Sequence, residues 1–576
     1  GTIIISQNGT SGQYAWLADT TGAVYTMTVT VPAGYTLDPS RPALSGPYNP
    51  TTTPDPNVIG SGENPSAPGT LTDFSAPSNP WYLTFIFDPG DPLIINNNIP
   101  LLKNKPLTYT GWRSRHPLGG QNNPDQDPDG DHYDNIQEFA FCYPPDSGSN
   151  PNCPVTLTVQ PDGRVDLNVR RVIGITGVNY VPEFIASLAA SGPNGAGWTD
   201  LLTIVPTVTN LGNGKEIATY QGVNNLPPLI GGTQGFFRVR VELDSNGDST
   251  IDAVSRTKTA GYSQRSINSM CETFSMPYFG CPPAAGIVDG ISGSLLDSTT
   301  SMGIGNVASA LTSGRQYYIE ITSGDHAGHR LELDEANCTA TMLAVDTASP
   351  RNTLTSLPAT LAGDHWSIRP HHTLNELFPP SKFSGATNNP NTADRISLKS
   401  GAGFTFYWLY LNGGSPIWVS AAEATLEDRG GTILYPGDGA YVRPRSGSVS
   451  LTLAGFVRTN PFARPLTPDT PFVGGGWPMD HSPNSRGMTT TNGFTANRSS
   501  TVADRLIFWK GDSLPNAQGY DTYSYSSFSS NVHWITLEDA TLNSVSDQNL
   551  LRALRAAFIK VAVPLPNYVM PMPWSP

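Results

Sequence analysis

Apolar and polar residues alternate in short runs along most of this chain, and Gly, Pro, Asn or Ser interrupts each run before it lengthens. Tyr25-Thr-Met-Thr-Val-Thr-Val31 and Gly235-Phe-Phe-Arg-Val-Arg-Val241 carry the period of two that marks strands, as do the aromatic segments Phe404–Leu411 and Tyr520–Phe528. At the start, Thr2, Ile3, Ile4 and Ile5 form an apolar strand too greasy to face water, which predicts that this chain or another covers it. Helical character is confined to short pieces such as Ile136–Phe141. The pattern predicts a mainly β protein with several β-sandwich or barrel-like domains in tandem and little helix.

One polar stretch has a spacing of its own. From Asp127 to Glu138 the oxygen-bearing residues fall at positions 1, 3, 5, 9 and 12 of a twelve-residue loop. A hard cation such as calcium needs six to eight oxygens at about 2.3–2.6 Å. The loop offers Asp127, Asp129, Asp131, the Tyr133 carbonyl, Asn135 directly or through water, and Glu138 as the bidentate ligand. His132 stands where such loops place Gly, so a turn at positive φ with some strain is expected there. No helix precedes it, and in this the loop resembles the lone calcium loops of dockerins and thrombospondin type 3 repeats. A second acidic turn repeats the first four ligand positions with Asp244, Asn246, Asp248 and Asp252 but has Ser255 where Glu is wanted, so it reads equally as a second metal loop or as an Asx-rich turn.

Turn-rich stretches divide the chain. We expect an N-terminal β domain with a Pro/Gly-rich arm over 1–106, a calcium-loop linker module over 107–154, a β-sandwich over 155–260 and a further β domain over 261–390. Residues 391–500 and 501–576 then read as two copies of a repeat of about 110 residues. Ala393-Asp-Arg-Ile396 recurs as Ala503-Asp-Arg-Leu506, Trp418–Leu426 as Trp534–Leu542, and Ala440–Arg443 as Ala557–Lys560, in the same order. The arm, crowded with Pro, Gly, Ser and Asn over 36–80, is expected to be held by neighbouring domains or subunits.

Composition narrows the setting. With 57 Gly and 52 Pro in 576 residues, long helices are disfavoured. A net charge of −14 with scattered Lys leaves no basic stripe for phosphates, which argues against nucleic acid as a partner. No apolar run approaches the ~18–20 residues of a membrane span, and the start at Gly1 suggests that a targeting segment has been removed. Local disulfides are expected from Cys142 to Cys153 and from Cys271 to Cys281, each across a short loop, with Cys338 left as a buried thiol.

Residues 265–576 resemble a family of uncharacterised secreted bacterial proteins. The resemblance rests on Cys271-Glu-Thr-Phe-Ser-Met-Pro277, Tyr317-Tyr-Ile-Glu-Ile-Thr-Ser-Gly324, Arg369-Pro-His-His-Thr-Leu374, Ile433-Leu-Tyr-Pro-Gly-Asp-Gly439 and the paired Ala-Asp-Arg starts. It implies secretion and modularity and carries no catalytic residues.

Catalytic constellations are scarce: there is no H-E-x-x-H, no G-x-S-x-G and no phosphate-cradling glycine loop. His326 with His329, His371 with His372, and Asp480-His481 lack a third ligand nearby and read first as ordinary loop residues. Glu427 and Asp428 are adjacent rather than opposed, so they make no glycosidase pair. Trp408, Tyr410 and Trp418 are candidates for a sugar platform, though a core role fits them better. No catalytic residue is assigned. The sequence therefore predicts a secreted or cell-surface structural protein, calcium-stabilised and joining copies of itself into a polymer, filament or layer. An extracellular carbohydrate-binding or carbohydrate-degrading protein, partnered with surface glycans, is the alternative, and a calcium-dependent adhesin lies between them.

Overall fold

The computed structural model describes residues 108–574 apart from 115, 117, 149–152, 202, 213, 227–228, 269–270, 303–305, 446, 470, 515–516, 529–530 and 539–541. Of the first 106 it describes only 6–7, 14–15, 23–29, 35–37, 43–49, 81–89, 99 and 101–103. The predicted strand Thr2–Ile5 and most of the Pro/Gly-rich arm fall outside the described residues. The chain divides into two units, Gly1–Pro106 and Leu107–Pro576. Both are β-built, with many separate sheets and no closed barrel among the described residues.

In the first unit the strand Val24–Thr26 pairs with Thr84–Ile86, and Tyr35–Leu37 pairs with Leu101–Lys103. Tyr48, Trp81 and Phe85 are buried there, aromatic groups standing in for a larger aliphatic core.

The second unit begins with a sandwich. Thr207–Gly212, Lys215–Tyr220, Val165–Val172 and Val155–Val159 form one four-stranded antiparallel sheet in that order. A seven-stranded sheet shares its core, which runs from Val165, Leu167 and Val169 to Phe237, Val239 and Val241. The boundary expected at 260/261 does not separate packed units. The strand Ala260–Asn268 pairs on one side with Gln234–Leu243 and on the other, from end to end, with Ser448–Val457. Residues from three of the expected domains thus complete one sheet, because a strand edge left open by one segment is closed by whichever distant segment fits it.

The duplication is visible as topology. Glu272–Ser275, Gly439–Arg443, Arg395–Ser400, Gly403–Asn412 and Ser415–Ser420 form a five-stranded sheet in that order. Phe472–Gly474, Ala556–Lys560, Arg505–Trp509, Tyr520–Phe528 and Asn531–Thr536 form another in the matching order. Registers agree too, with Ile396 opposite Val442 in one and Leu506 opposite Ile559 in the other. The Ala-Asp-Arg motif has one job performed twice. Buried Asp394 accepts the backbone N–H groups of Ser384 (2.7 Å) and Arg445 (2.7 Å), and buried Asp504 accepts those of Thr495 (2.8 Å) and Ala562 (2.6 Å). Fully buried Trp418 and Trp534 each donate the indole N–H, at 2.9 Å, to the carbonyls of Phe378 and Met488. Trp418 is therefore a core residue, and Trp408 is buried in a small cluster with Ala393 and Val419.

Each copy starts earlier than Ala-Asp-Arg, at its short first strand, and the first copy is interrupted after Glu272–Ser275. Residues 284–370 fold there as an inserted unit with its own core around Leu296, Ile319, Leu343, Trp366 and Ile368. The copies meet through equivalent atoms: Ser275 N–H donates to Leu554 O (3.0 Å), and its counterpart Gly474 N–H donates to Gly437 O (2.9 Å). Gly437 and Leu554 are themselves equivalent and both left-handed, at φ 78° and 58°. This reciprocity is that of a local two-fold contact, and Leu554 accepts a strained backbone to make it.

Candidate metal centre

The expected calcium loop folds around its own aspartates. Asp127 accepts the N–H groups of Gly130 (2.7 Å) and His132 (2.8 Å), Asp129 that of Asp131 (3.2 Å), and Asp131 that of Tyr133 (2.8 Å). Such side-chain caps wind the backbone tightly, with Gly130 and His132 both at φ 73°. His132 thus takes the left-handed turn usually given to Gly, and its Nε2 lies 2.8 Å from Thr322 Oγ1. Asp134 then caps the helix Asn135–Phe141 by accepting Gln137 N–H at 3.0 Å, and all seven helical residues are buried.

The winding brings candidate ligand atoms of Asp127, Asp129 and Asp131 within 4.8 Å of one another. Glu138, one turn into the helix, is completely buried, and neither of its carboxylate oxygens has a hydrogen-bond partner. Asn135 is held by donating to Gln121 O (3.0 Å) and Asn123 O (2.7 Å), which leaves its Oδ1 unpartnered, as is Asp129 Oδ2. Buried acceptors without donors are costly, at about 1–3 kcal/mol each and more for charged groups. Burial, followed by the charges of the neighbouring aspartates, pushes Glu138 up to about 12 and Asp129 up to about 9. Asp127 and Asp134 are raised as well, again first by burial.

Two bodies close over the loop. A Cβ on Gly130 would sit 2.3 Å from the Ile287 side chain of the inserted unit, and one on Gly148 would sit 1.9 Å from Ala285 O. From the sandwich, Ser255 Oγ bonds Asp134 and accepts from Gln137 Nε2 (2.8 Å), while partly buried Lys258 places Nζ 5.1 Å from the Tyr133 ring centre. Lys258 feels the charges of Asp131 and Asp127. Burial lowers it to about 8 while Asp131 and Asp127 pull it back up. One ammonium cannot balance Asp127, Asp129, Asp131 and Glu138. Lys258, Ser255, Ile287 and Thr322, and His365, whose ring lies 5.1 Å from that of His132, carry no spacing signal that would have linked them to the loop.

The second acidic turn repeats the first in its backbone. Asp244 accepts from Gly247 (2.6 Å) and Ser249 (2.8 Å), Asn246 from Asp248 (2.9 Å) and Asp248 from Thr250 (2.8 Å), with Ser249 at φ 69°. It differs in being exposed, and Asp252 is spent on Ser245 N–H at 2.7 Å. Its twelfth residue, Ser255, instead serves the first loop's helix cap.

The expected disulfides are corrected by the structure. Cys153 bonds Cys281, 128 positions away, with Cα atoms 5.9 Å apart, and Cys142 and Cys271 are free. Cys142 occupies the left-handed cap that ends the helix (φ 56°), and Cys153 leads directly into the strand Val155–Val159 in the sandwich core. Cys281 follows Tyr278–Phe279 at the edge of the facing sheet, so core packing rather than chain proximity chooses the pair. Cys338 is partly buried, and its thiol bonds Asp334 O and Ala344 N–H, both at 3.4 Å.

The histidines are taken up locally. His326 pairs with Asp364 (3.0 Å), His329 with Thr353, His371 with Glu332 (2.8 Å) and His372 with Tyr278 O (3.1 Å), while buried His481 is pushed down to about 2. Glu427 and Asp428 sit on an exposed loop, Glu427 bridged to Arg429. Among the described residues no helix is long and apolar enough to cross a membrane. No family model matches the chain, nor does any curated protein or solved structure.

Proposed function

We propose that this is a calcium-stabilised structural protein of the cell exterior, built to join copies of itself into a polymer, filament or layer. The observation that carries the calcium reading is Glu138, a wholly buried carboxylate with two unpartnered oxygens in the field of three clustered aspartates. A divalent cation with oxygen ligands removes that cost, and because the loop touches both the sandwich and the inserted unit, the bound ion clamps the two together. Asp127, Asp129, Asp131, Asn135 and Glu138 would hold it, with the Tyr133 carbonyl. The Cys153–Cys281 bond supports export to an oxidising compartment.

Assembly draws support from the edge strand Thr207–Gly212. It is the outermost strand of its sheet, exposed along its whole length and without a charged side chain, with Val208 and Leu211 more than two-fifths exposed. Such an edge offers unpaired backbone groups to a strand from another copy, and the Thr2–Ile5 run has the composition of a donor. Light scattering on a size-exclusion column, in calcium and then in EDTA, tests the proposal. We expect masses well above 61.5 kDa in calcium and a fall in mass for Val208→Lys. A 61.5 kDa monomer in both buffers overturns self-assembly. Absence of bound calcium by elemental analysis overturns the metal.

A further inference from the structure

A cleft of about 710 Å³ lies between the second repeat and the end of the seven-stranded sheet, away from the Asp127–Glu138 loop. Its size falls within the roughly 300–1,000 Å³ of small-molecule sites, which favour such junctions. Hydroxyl and amide side chains make its walls: Thr233, Gln234 and Gln264 from the sheet, Ser513 and Asn549 from the repeat. The floor is fixed by charged groups that satisfy one another. Arg265 pairs with Glu272 (2.8 Å) and donates to Leu554 O (2.6 Å), and Asp512 accepts Thr273 N–H (2.8 Å). At the rim Asp480 pairs with Arg552 at 2.7 Å and accepts Ala553 N–H at 2.8 Å.

A smaller pocket of about 110 Å³ shares Asp512, Ser513, Asn549 and Arg552 and extends the cleft toward Phe508, Trp509 and Tyr523. These rings are held in place. Trp509 donates its indole N–H to Cys271 O at 2.9 Å, and Phe508 meets Tyr523 edge-on at 5.5 Å.

We propose that this cleft binds a neutral oligosaccharide, its hydroxyls on the amide and hydroxyl walls and the C–H face of a ring against the aromatic end. Competing chemistries fit less well. An anionic ligand would meet the carboxylates of Asp480 and Asp512 on the same wall as Arg265, Arg552 and Arg555, whose charge those carboxylates already offset. An apolar ligand would strip water from the wall hydroxyls and amides without replacing their hydrogen bonds. A polyhydroxylated ring offers both donors and acceptors and a C–H face. Asp512 and Asp480 hold Thr273 and Arg552 in place, and the cleft is assigned binding alone. Trp418, fully buried, has no part in it.

The test is native electrophoresis of the full chain in calcium buffer, through gels cast with soluble β-glucan, galactomannan or xyloglucan and through a gel without polysaccharide. We expect retardation by at least one polysaccharide. The double variant Thr233→Ala/Asn549→Ala should bind about tenfold more weakly, in line with two lost hydrogen bonds of ordinary net strength. Both residues are exposed, so folding should be unaffected, and an unchanged unfolding midpoint verifies this. Unaltered mobility in all three gels overturns the proposal, as does retardation that the double variant retains in full.

Discussion

Replacing Glu138 by Gln should stabilise the calcium-free protein, and calcium should erase that advantage. Without a cation, the buried Glu138 carboxyl is held up at about 12 against an ordinary 4.5, chiefly by burial and then by Asp129, Asp131 and Asp127. A carboxyl raised on folding binds its proton more tightly in the native state. Its contribution is complete below about pH 4.5 and drains away as pH rises toward 12. Between pH 4.5 and 7 the unfolded chain gains about 2.5 pH units of ionisation that the cation-free native state forgoes, on the order of 3 kcal/mol. Gln has the shape of the protonated acid and no charge to lose. In EDTA at pH 7 the Glu138→Gln variant should therefore be more stable than the parent by about 2–3 kcal/mol, with the difference vanishing near pH 4.5. In calcium the parent should gain about 2.7 kcal/mol at one hundred times its dissociation constant, while the variant, short of its bidentate ligand, gains little. Denaturant titrations at the two pH values, with calcium and with EDTA, read all four cases. A variant less stable than the parent in EDTA at pH 7, or a parent indifferent to calcium, refutes the reasoning. Glu427→Gln, on an exposed loop, is the control and should stay within about 0.5 kcal/mol in every condition.

Three further outcomes follow from the same structure. Cys153→Ser should lower stability by about 4–5 kcal/mol in the chain-entropy account of a loop this long, whereas Cys142→Ser should leave the disulfide intact; peptide mapping without reductant and denaturant titration check both. Asp394→Asn and Asp504→Asn should each cost about 2–3 kcal/mol, because an amide N–H₂ replaces an acceptor facing two backbone donors; closely similar losses are the mark of equivalent sites. Gly130→Ala should force its methyl into Ile287 at a left-handed position, which loosens the inserted unit from the loop and speeds proteolysis within residues 284–370; unchanged cleavage would contradict that contact.

Much of the β character was legible because it is local. Apolar residues in Gly235–Val241 and Phe404–Leu411 mark strands, buried on both faces over 235–239 and 407–409, and the structure is mainly β as that pattern predicts. The duplication was legible at Ala-Asp-Arg and at Trp418 and Trp534 because those side chains tie backbone to backbone and tolerate few substitutes. Its true starts, at Glu272–Ser275 and Phe472–Gly474, were hidden: these short strands contribute hydrogen bonds more than side-chain identity, and an inserted unit separates the first from the rest of its copy. The disulfides were misjudged because spacing along the chain measures loop closure, whereas the native pair was set by which cysteines the two sheets of the sandwich bring together.

By itself, the sequence determined the winding of the Asp127–Glu138 loop, since each aspartate captures an N–H two to five residues ahead and needs no distant partner. The same was true of the exposed turn at Asp244, which has nearly the same backbone. Only the tertiary structure decided that the two loops differ in character. Packing of the sandwich and the inserted unit over the first loop buries Glu138, tightens its hold on a proton, and brings Lys258 to Tyr133 of the loop. The second loop, left in water, pays no such penalty and has no comparable need of a metal.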